Sequence, residues 1–219
     1  MTKKAIIVGA SGLIGSNLLA MLSTQPNYGE ILIIARKKTR TNNIKVTQLI
    51  IEFAHLERYA KSITGSVIFC CLGSTRNETP DLDEYRKIDH DYPVKLAEIA
   101  LKNGIEQYHL VSSIGADAGS SNFYLRMKGE TEEDINKIGL KSLHIYQPSV
   151  LMGYRQSARR LEDIIIFFMK ITSPLLLGRL KKYRAISANS VAKTIFKQSL
   201  KNQTGVFTYT SDKIKQLSK

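Results

Sequence analysis

Tyr124 and Lys128 stand four residues apart in the run Phe123-Tyr124-Leu125-Arg126-Met127-Lys128-Gly129-Glu130. On a helix that spacing puts both side chains on one face. An ammonium beside a phenol stabilises the phenolate and brings proton transfer by a tyrosine toward neutral pH. Eleven residues before Tyr124 the segment Val111-Ser112-Ser113 closes an apolar run, and Ser113 is placed to hydrogen-bond a substrate oxygen as its charge changes. A tyrosine and a lysine at this spacing are more often ordinary packing beside solvated charge. What separates this pair is its place after a strand ending in serines, in a chain that opens on a phosphate-binding pattern.

That opening pattern is Gly9-Ala10-Ser11-Gly12-Leu13-Ile14-Gly15, three glycines at three-residue spacing between an apolar strand and an amphipathic helix. Glycine there permits a tight turn, close approach of backbone to a pyrophosphate, and tight packing of helix on strand. The helix N-terminus adds unpaired N–H groups and a partial positive charge. Residues Gly9, Ser11, Gly12, Leu13, Ile14 and Gly15 are therefore the candidate dinucleotide contacts. The next apolar run ends in Ile34-Ala35-Arg36-Lys37-Lys38. An acidic residue at its end would accept hydrogen bonds from the adenosine ribose of NAD. Arg36 instead offers a planar fork to a 2′-phosphate and Lys37 a second charge, so NADP(H) is the expected cofactor, with NAD(H) left open. Further on, Leu72-Gly73 ends another apolar run, where Gly73 lets the chain pass close to a bound cofactor.

The elements that must position these residues follow from the alternation of short apolar runs with helical patterns, the signature of βαβ units and a parallel sheet. Strands are expected at Lys4–Gly9, Glu30–Ala35, Lys45–Ile51, Ser66–Leu72, Gln107–Ser112 and Lys141–Tyr146, with a short extra one at Val206–Tyr209. Helices are expected at Gly12–Leu22, at Val94–Lys102 with Pro93 starting or kinking it, at Ser157–Ile171, and at Asn189–Leu200. The implied fold class is α/β: a single doubly wound parallel-sheet Rossmann domain over 1–219, in strand order 3-2-1-4-5-6 plus one strand. Residues 150–185 read as a small substrate cap within it, and 211–219 as a loose tail.

With those elements in view, the chain resembles the atypical short-chain dehydrogenase/reductases of the NAD-dependent epimerase/dehydratase superfamily. More narrowly, it is similar to their Tat-interacting-protein-like oxidoreductase branch. The residues carrying the likeness are GASGLIG, the ARK turn, FCCLGSTR, IDHDYPVKLAEIALKNG and LVSSIGADAGSSNFYLRMKGETE, between about Lys3 and about Arg160. The resemblance implies that Tyr124 is the general acid or base, that Lys128 orients the nicotinamide ribose, and that Ser113 positions the reacting oxygen, with Ser112 its rival. It further implies that Pro148 to Leu151 lie against the nicotinamide end and that Arg155 or Arg159 reaches a cofactor phosphate. Asp89 is a departure: it stands where many extended relatives carry asparagine, which puts a proton relay through that position in question.

Composition bounds the rest. At 219 residues, 43% hydrophobic and 23% charged, the chain suits a folded globular domain and not a disordered one. Its start runs straight into a strand, so a cytoplasmic chain without a secretory segment is expected. Cys70 and Cys71 are adjacent within an apolar run and read as core; with His55, His90, His109 and His144 scattered, no metal site is indicated. A net charge of +13 attracts anions, yet the lysines and arginines are spread without the blocks of a nucleic-acid arm. The apolar stretch 163–177 with basic edges is too short and broken to span a bilayer, and reads as a lid, a homodimer contact or weak contact with a membrane surface. The expected function is an NADP(H)-dependent oxidoreductase acting on a small-molecule carbonyl or alcohol. The alternatives are a nucleotide-sugar epimerase or dehydratase-like enzyme and a non-catalytic NADPH-sensing regulator.

Overall fold

The computed structural model describes residues 2–152 and 183–219. The first strand, β1 (Lys3–Val8), lies inside a seven-stranded sheet, third from one edge. Its Ala5, Ile6, Ile7 and Val8 are all fully buried, as a parallel strand covered on both faces requires. The pleat sends Ile6 and Val8 into one core and Ala5 and Ile7 into the other. Around it run β2 (Tyr28–Ala35), β3 (Val46–Ile50), β4 (Val67–Cys70), β5 (Gln107–Val111) and β6 (Ser142–Gln147). A short pair, β7 (Leu151–Met152) and β8 (Ile186–Ser187), stands apart, and β9 (Gly205–Thr210) joins the main sheet beside β6. The order is β3-β2-β1-β4-β5-β6-β9, every neighbour parallel, which is the expected doubly wound order with its additional strand.

One face is covered by α1 (Leu13–Thr24), α5 (Ala188–Ser199) and α6 (Ser211–Leu217), through Leu18, Leu22, Val191, Ile195 and Ile214. The other is covered by a 3-10 segment (Phe53–Ser62), α3 (Tyr92–Lys102) and α4 (Phe123–Lys137), through Leu56, Leu96, Ala100 and Ile135. Two short helical pieces lead into α3: α2 (Leu82–Arg86), capped by Asp81 accepting from the Glu84 N–H at 2.8 Å, and a π turn (Lys87–Asp91).

Of the two readings of Pro93, a start or a kink, the structure has the second, for the helical run begins eleven residues earlier, at Leu82. Pro93 sits inside the helical run because the π turn before it, in which the Tyr92 N–H bonds the Lys87 carbonyl, absorbs the lost donor. The loose tail expected at 211–219 is instead helix α6. Its lysines face water while Ile214 is fully buried, and the Thr194 hydroxyl donates to the Ile214 carbonyl at 2.9 Å. The helix expected at Ser157–Ile171, the apolar stretch 163–177 and most of the cap at 150–185 lie outside the described residues.

Candidate functional site

Most of the described candidate residues sit just beyond the carboxyl ends of strands, the glycine loop after β1, Arg36 after β2, Leu72 and Gly73 after β4, Ser113 after β5 and Pro148 after β6, while Tyr124 and Lys128 lie on α4 and Leu151 in β7. The sheet order reverses between β1 and β4, where open α/β sheets bind their ligands.

In the glycine loop, Gly9 has φ +80°, and a Cβ there would lie 2.4 Å from the Cys71 carbonyl oxygen. A Cβ on Gly15 would come within 2.1 Å of the Gly9 oxygen, so the start of α1 packs directly on the turn. Gly12 differs. Its added Cβ would meet nothing nearer than 3.4 Å, and as N-cap of α1 it supplies no side chain to the helix's first N–H groups. The first turn of α1 carries no acidic residue. Open backbone and uncapped donors fit a pyrophosphate. Ser11 is exposed, Leu13 is half-buried, and Ile14 is buried against the sheet.

Arg36 and Lys37 are exposed at the end of β2. Arg36 also lines a cleft with Glu52, Phe53, Leu72, Ile88 and Tyr92, in which the rings of Phe53 and Tyr92 stack at 5.4 Å. The sequence did not bring Glu52 and Phe53 to this cleft, because their place in it depends on β3 ending beside β2. An acidic-aromatic pair at a strand end was the available signal.

The catalytic candidates are joined by packing at Gly129. A Cβ there would fall 2.2 Å from the Ala118 nitrogen and 2.3 Å from the Asp117 carbonyl carbon, so α4 lies against the backbone of the loop that follows Ser113. The Asp117 N–H also donates to the Leu125 carbonyl at 3.0 Å, and the Ile114 N–H to the Pro148 carbonyl at 3.0 Å. Ser113, Pro148 and the start of α4 are thereby brought together. Leu151 is half-buried in β7, packed on the core that includes α1. Arg159, with Arg155, lies outside the described residues.

The two serines differ in availability. Ser112 is buried and its hydroxyl donates to Glu132, a carboxylate that also receives the Gln147 amide at 2.9 and 3.0 Å. Burial pushes the Glu132 carboxyl above its usual range, against the bonds from Ser112 and Gln147. Ser113 is half-buried, with its hydroxyl 3.5 Å from the neighbouring Ile114 carbonyl.

Lys128 is almost wholly buried, its Nζ 2.7 Å from Oδ1 of the equally buried Asp89. Burial, the largest single effect, pulls the Lys128 ammonium down, and its neighbours, Asp89 first and Tyr124 next, together hold it above its ordinary value. Gly73 lies over this pair, since a Cβ there would meet Asp89 Oδ1 at 3.5 Å and Lys128 Nζ at 4.0 Å. Tyr124, one turn before Lys128, is half-buried. The open backbone of the glycine loop and the uncapped start of α1 fit the phosphates of a nicotinamide dinucleotide.

Among known proteins, residues 5–202 match the family described as the NAD dependent epimerase/dehydratase family. The rat protein HTATIP2 is 37% identical over 163 residues, covering 72% of this chain and 66% of its own length, just under two thirds. The protein fmp52, mitochondrial, of Aspergillus clavatus is 28% identical over 217 residues, covering 95% and 92%. Among solved structures, MoeE5 in complex with UDP-glucose and NAD aligns with a TM-score of 0.72 at 13% identity, covering 98% of this chain and 80% of that one. The Bordetella bronchiseptica enzyme WbmG in complex with NAD aligns at 0.68 and 16%, covering 96% and 73%; at such identities the agreement is one of fold. This chain belongs to the NAD dependent epimerase/dehydratase family.

Proposed function

We propose that the chain is an NADP(H)-dependent oxidoreductase acting on a small-molecule carbonyl or alcohol, with Tyr124 as general acid or base. The observation that carries this reading is the charged Lys128 held one helical turn from Tyr124, beneath Gly73, at the strand ends where the sheet order reverses. The glycine loop and the α1 N-terminus would hold the dinucleotide's phosphates, Arg36 and Lys37 its 2′-phosphate, and Pro148 and Leu151 would flank its nicotinamide end. When bound, that group supplies or accepts a hydride. Ser113 donates a hydrogen bond to the substrate oxygen, and Tyr124 gives that oxygen a proton in reduction or takes one in oxidation. Lys128 orients the ribose and sets a positive charge one helical turn from Tyr124. Ser112 is committed to Glu132, so the oxygen-positioning role falls to Ser113.

The test is NADPH oxidation across a panel of aldehydes, ketones and UDP-sugars, comparing the native chain with Tyr124→Phe. Turnover of a carbonyl, reduced at least hundredfold in Tyr124→Phe, is expected. Cofactor binding without turnover in either protein would favour the sensor, and conversion of a UDP-sugar with no net cofactor consumption the epimerase. Among the described residues no helix is long and apolar enough to cross a membrane. The cytoplasmic location expected from the sequence stands beside a fungal relative whose name says mitochondrial, and cell fractionation decides between them.

A further inference from the structure

We propose that Asp89 is a positioning residue: it holds Lys128 in place and charged, so that a carboxylate–ammonium pair, and not a lone lysine, faces Tyr124 and the space beside Gly73. The inference rests on the reading of Tyr124 and Lys128 given above and extends it to the element behind them.

Three features bring Asp89 to this position. Pro93 has no N–H for the carbonyl four residues before it, which is that of Asp89, and the helix passes through a π turn there. The Asp89 carbonyl accepts the Thr131 hydroxyl of α4 at 3.1 Å, tying the turn to the helix that carries Lys128. The carboxylate is then divided: Oδ2 accepts the Ser74 N–H at 2.7 Å, while Oδ1 has the Lys128 ammonium at 2.7 Å. One side chain therefore fixes both the loop after β4 and the lysine.

His90 strengthens the same clamp, with Nδ1 2.7 Å from Asp91 and Nε2 3.1 Å from Asp134 of α4. Around the pair stand Tyr124 and Glu132 on α4, Cys70 on β4, and Tyr85 on α2. Of these, Tyr85 and Cys70 are driven toward their neutral forms, chiefly by burial. Among the described groups, Asp89 is the anion in contact with Lys128. An asparagine in its place keeps the shape and the oxygen facing Ser74 but leaves a buried cation uncompensated, which then sheds its proton as the pH rises through the neutral range.

The experiment is a pH titration of the full chain by NMR, following the Lys128 ¹³Cε resonance, beside the pH profile of carbonyl reduction. In the native chain Lys128 should keep its proton to at least about pH 10. In Asp89→Asn its titration should fall by roughly two units or more. The high-pH limb of the reduction profile should fall with it by at least about one unit, and Asp89→Glu should restore both. An unchanged lysine titration in Asp89→Asn, or turnover lowered by one factor at every pH, would overturn the proposal. If Asp89→Asn does not fold, the native titration decides: deprotonation of Lys128 below about pH 9 overturns the proposal, and persistence of the ammonium supports it. Should the native chain reduce no carbonyl at all, the functional reading fails while the lysine titration still tests the pair.

Discussion

At the end of β2 the chain presents Arg36 and Lys37, both exposed, where a NAD site would carry a carboxylate for the ribose hydroxyls. A fork of N–H donors on a 2′-phosphate forms charge-assisted bonds of about 1.5–3 kcal/mol, and NADH has no such phosphate. Arg36→Ala should therefore weaken NADPH about ten- to hundredfold and leave NADH within about threefold. Fluorescence titration with both cofactors measures this, and equal losses would mean that Arg36 contacts something common to the two. At this scale the placement of Tyr124 and Lys128 on one helix and of the three glycines in one turn was legible, because spacing along a helix or a turn already fixes it. It could not separate Ser112 from Ser113. That distinction depends on Glu132, which reaches Ser112 and Gln147 only when α4 lies across β5 and β6. Asp89 was visible as an unusual residue, but its partner lies on a different helix.

Among the elements, α4 and the loop after β5 act as one piece because Gly129 lets their backbones touch. Alanine is the better helix former by about 1 kcal/mol, so propensity alone predicts that Gly129→Ala stabilises the protein. Against this, its Cβ would stand 2.2 Å from a backbone nitrogen and 2.3 Å from a carbonyl carbon, neither of which can swing aside. Overpacking of this kind costs about 1–3 kcal/mol or more, so the collision wins. Gly129→Ala should lower the urea midpoint and displace Lys128 enough to weaken cofactor binding, whereas Asn136→Ala on the exposed face of α4 should do neither. An unchanged or raised midpoint for Gly129→Ala would show that the loop yields more easily than its contacts suggest. The strands were legible because full burial on both faces leaves unbroken apolar runs such as Ala5 to Val8. The helix boundary at Leu82 was not, since Pro93 reads equally as a start or a kink until the π turn before it is seen. Nor was α6, whose Ile214 and Leu217 are too few to mark a helix among lysines and serines.

For the molecule as a whole, acid sensitivity should originate in the sheet itself. His109 on β5 and His144 on β6 stack at 4.5 Å, nearly parallel, with almost no exposure. His109 meets the Tyr146 hydroxyl at 3.0 Å and Gln107 at 3.3 Å; His144 meets the Tyr209 hydroxyl and Ser142, each at 3.0 Å. Burial, with the nearby Lys201, holds His144 down to about 4, and burial, with His144 and Lys3, holds His109 well below its ordinary value. Both rings are therefore neutral in the folded chain, whereas in the unfolded chain they take up protons near pH 6.5. The unfolded state binds the extra protons, so this contribution to stability is complete above about pH 6.5 and is lost as the pH falls from there toward 4. Each ring contributes a slope of up to about 1.4 kcal/mol per pH unit in that window. Urea unfolding between pH 5 and 7 should show stability falling with acidity, and His144→Gln should remove a large part of the slope. The exposed His55→Gln should leave it intact. A slope unchanged by His144→Gln would place the acid sensitivity outside this stack, among the carboxylates at the molecular surface.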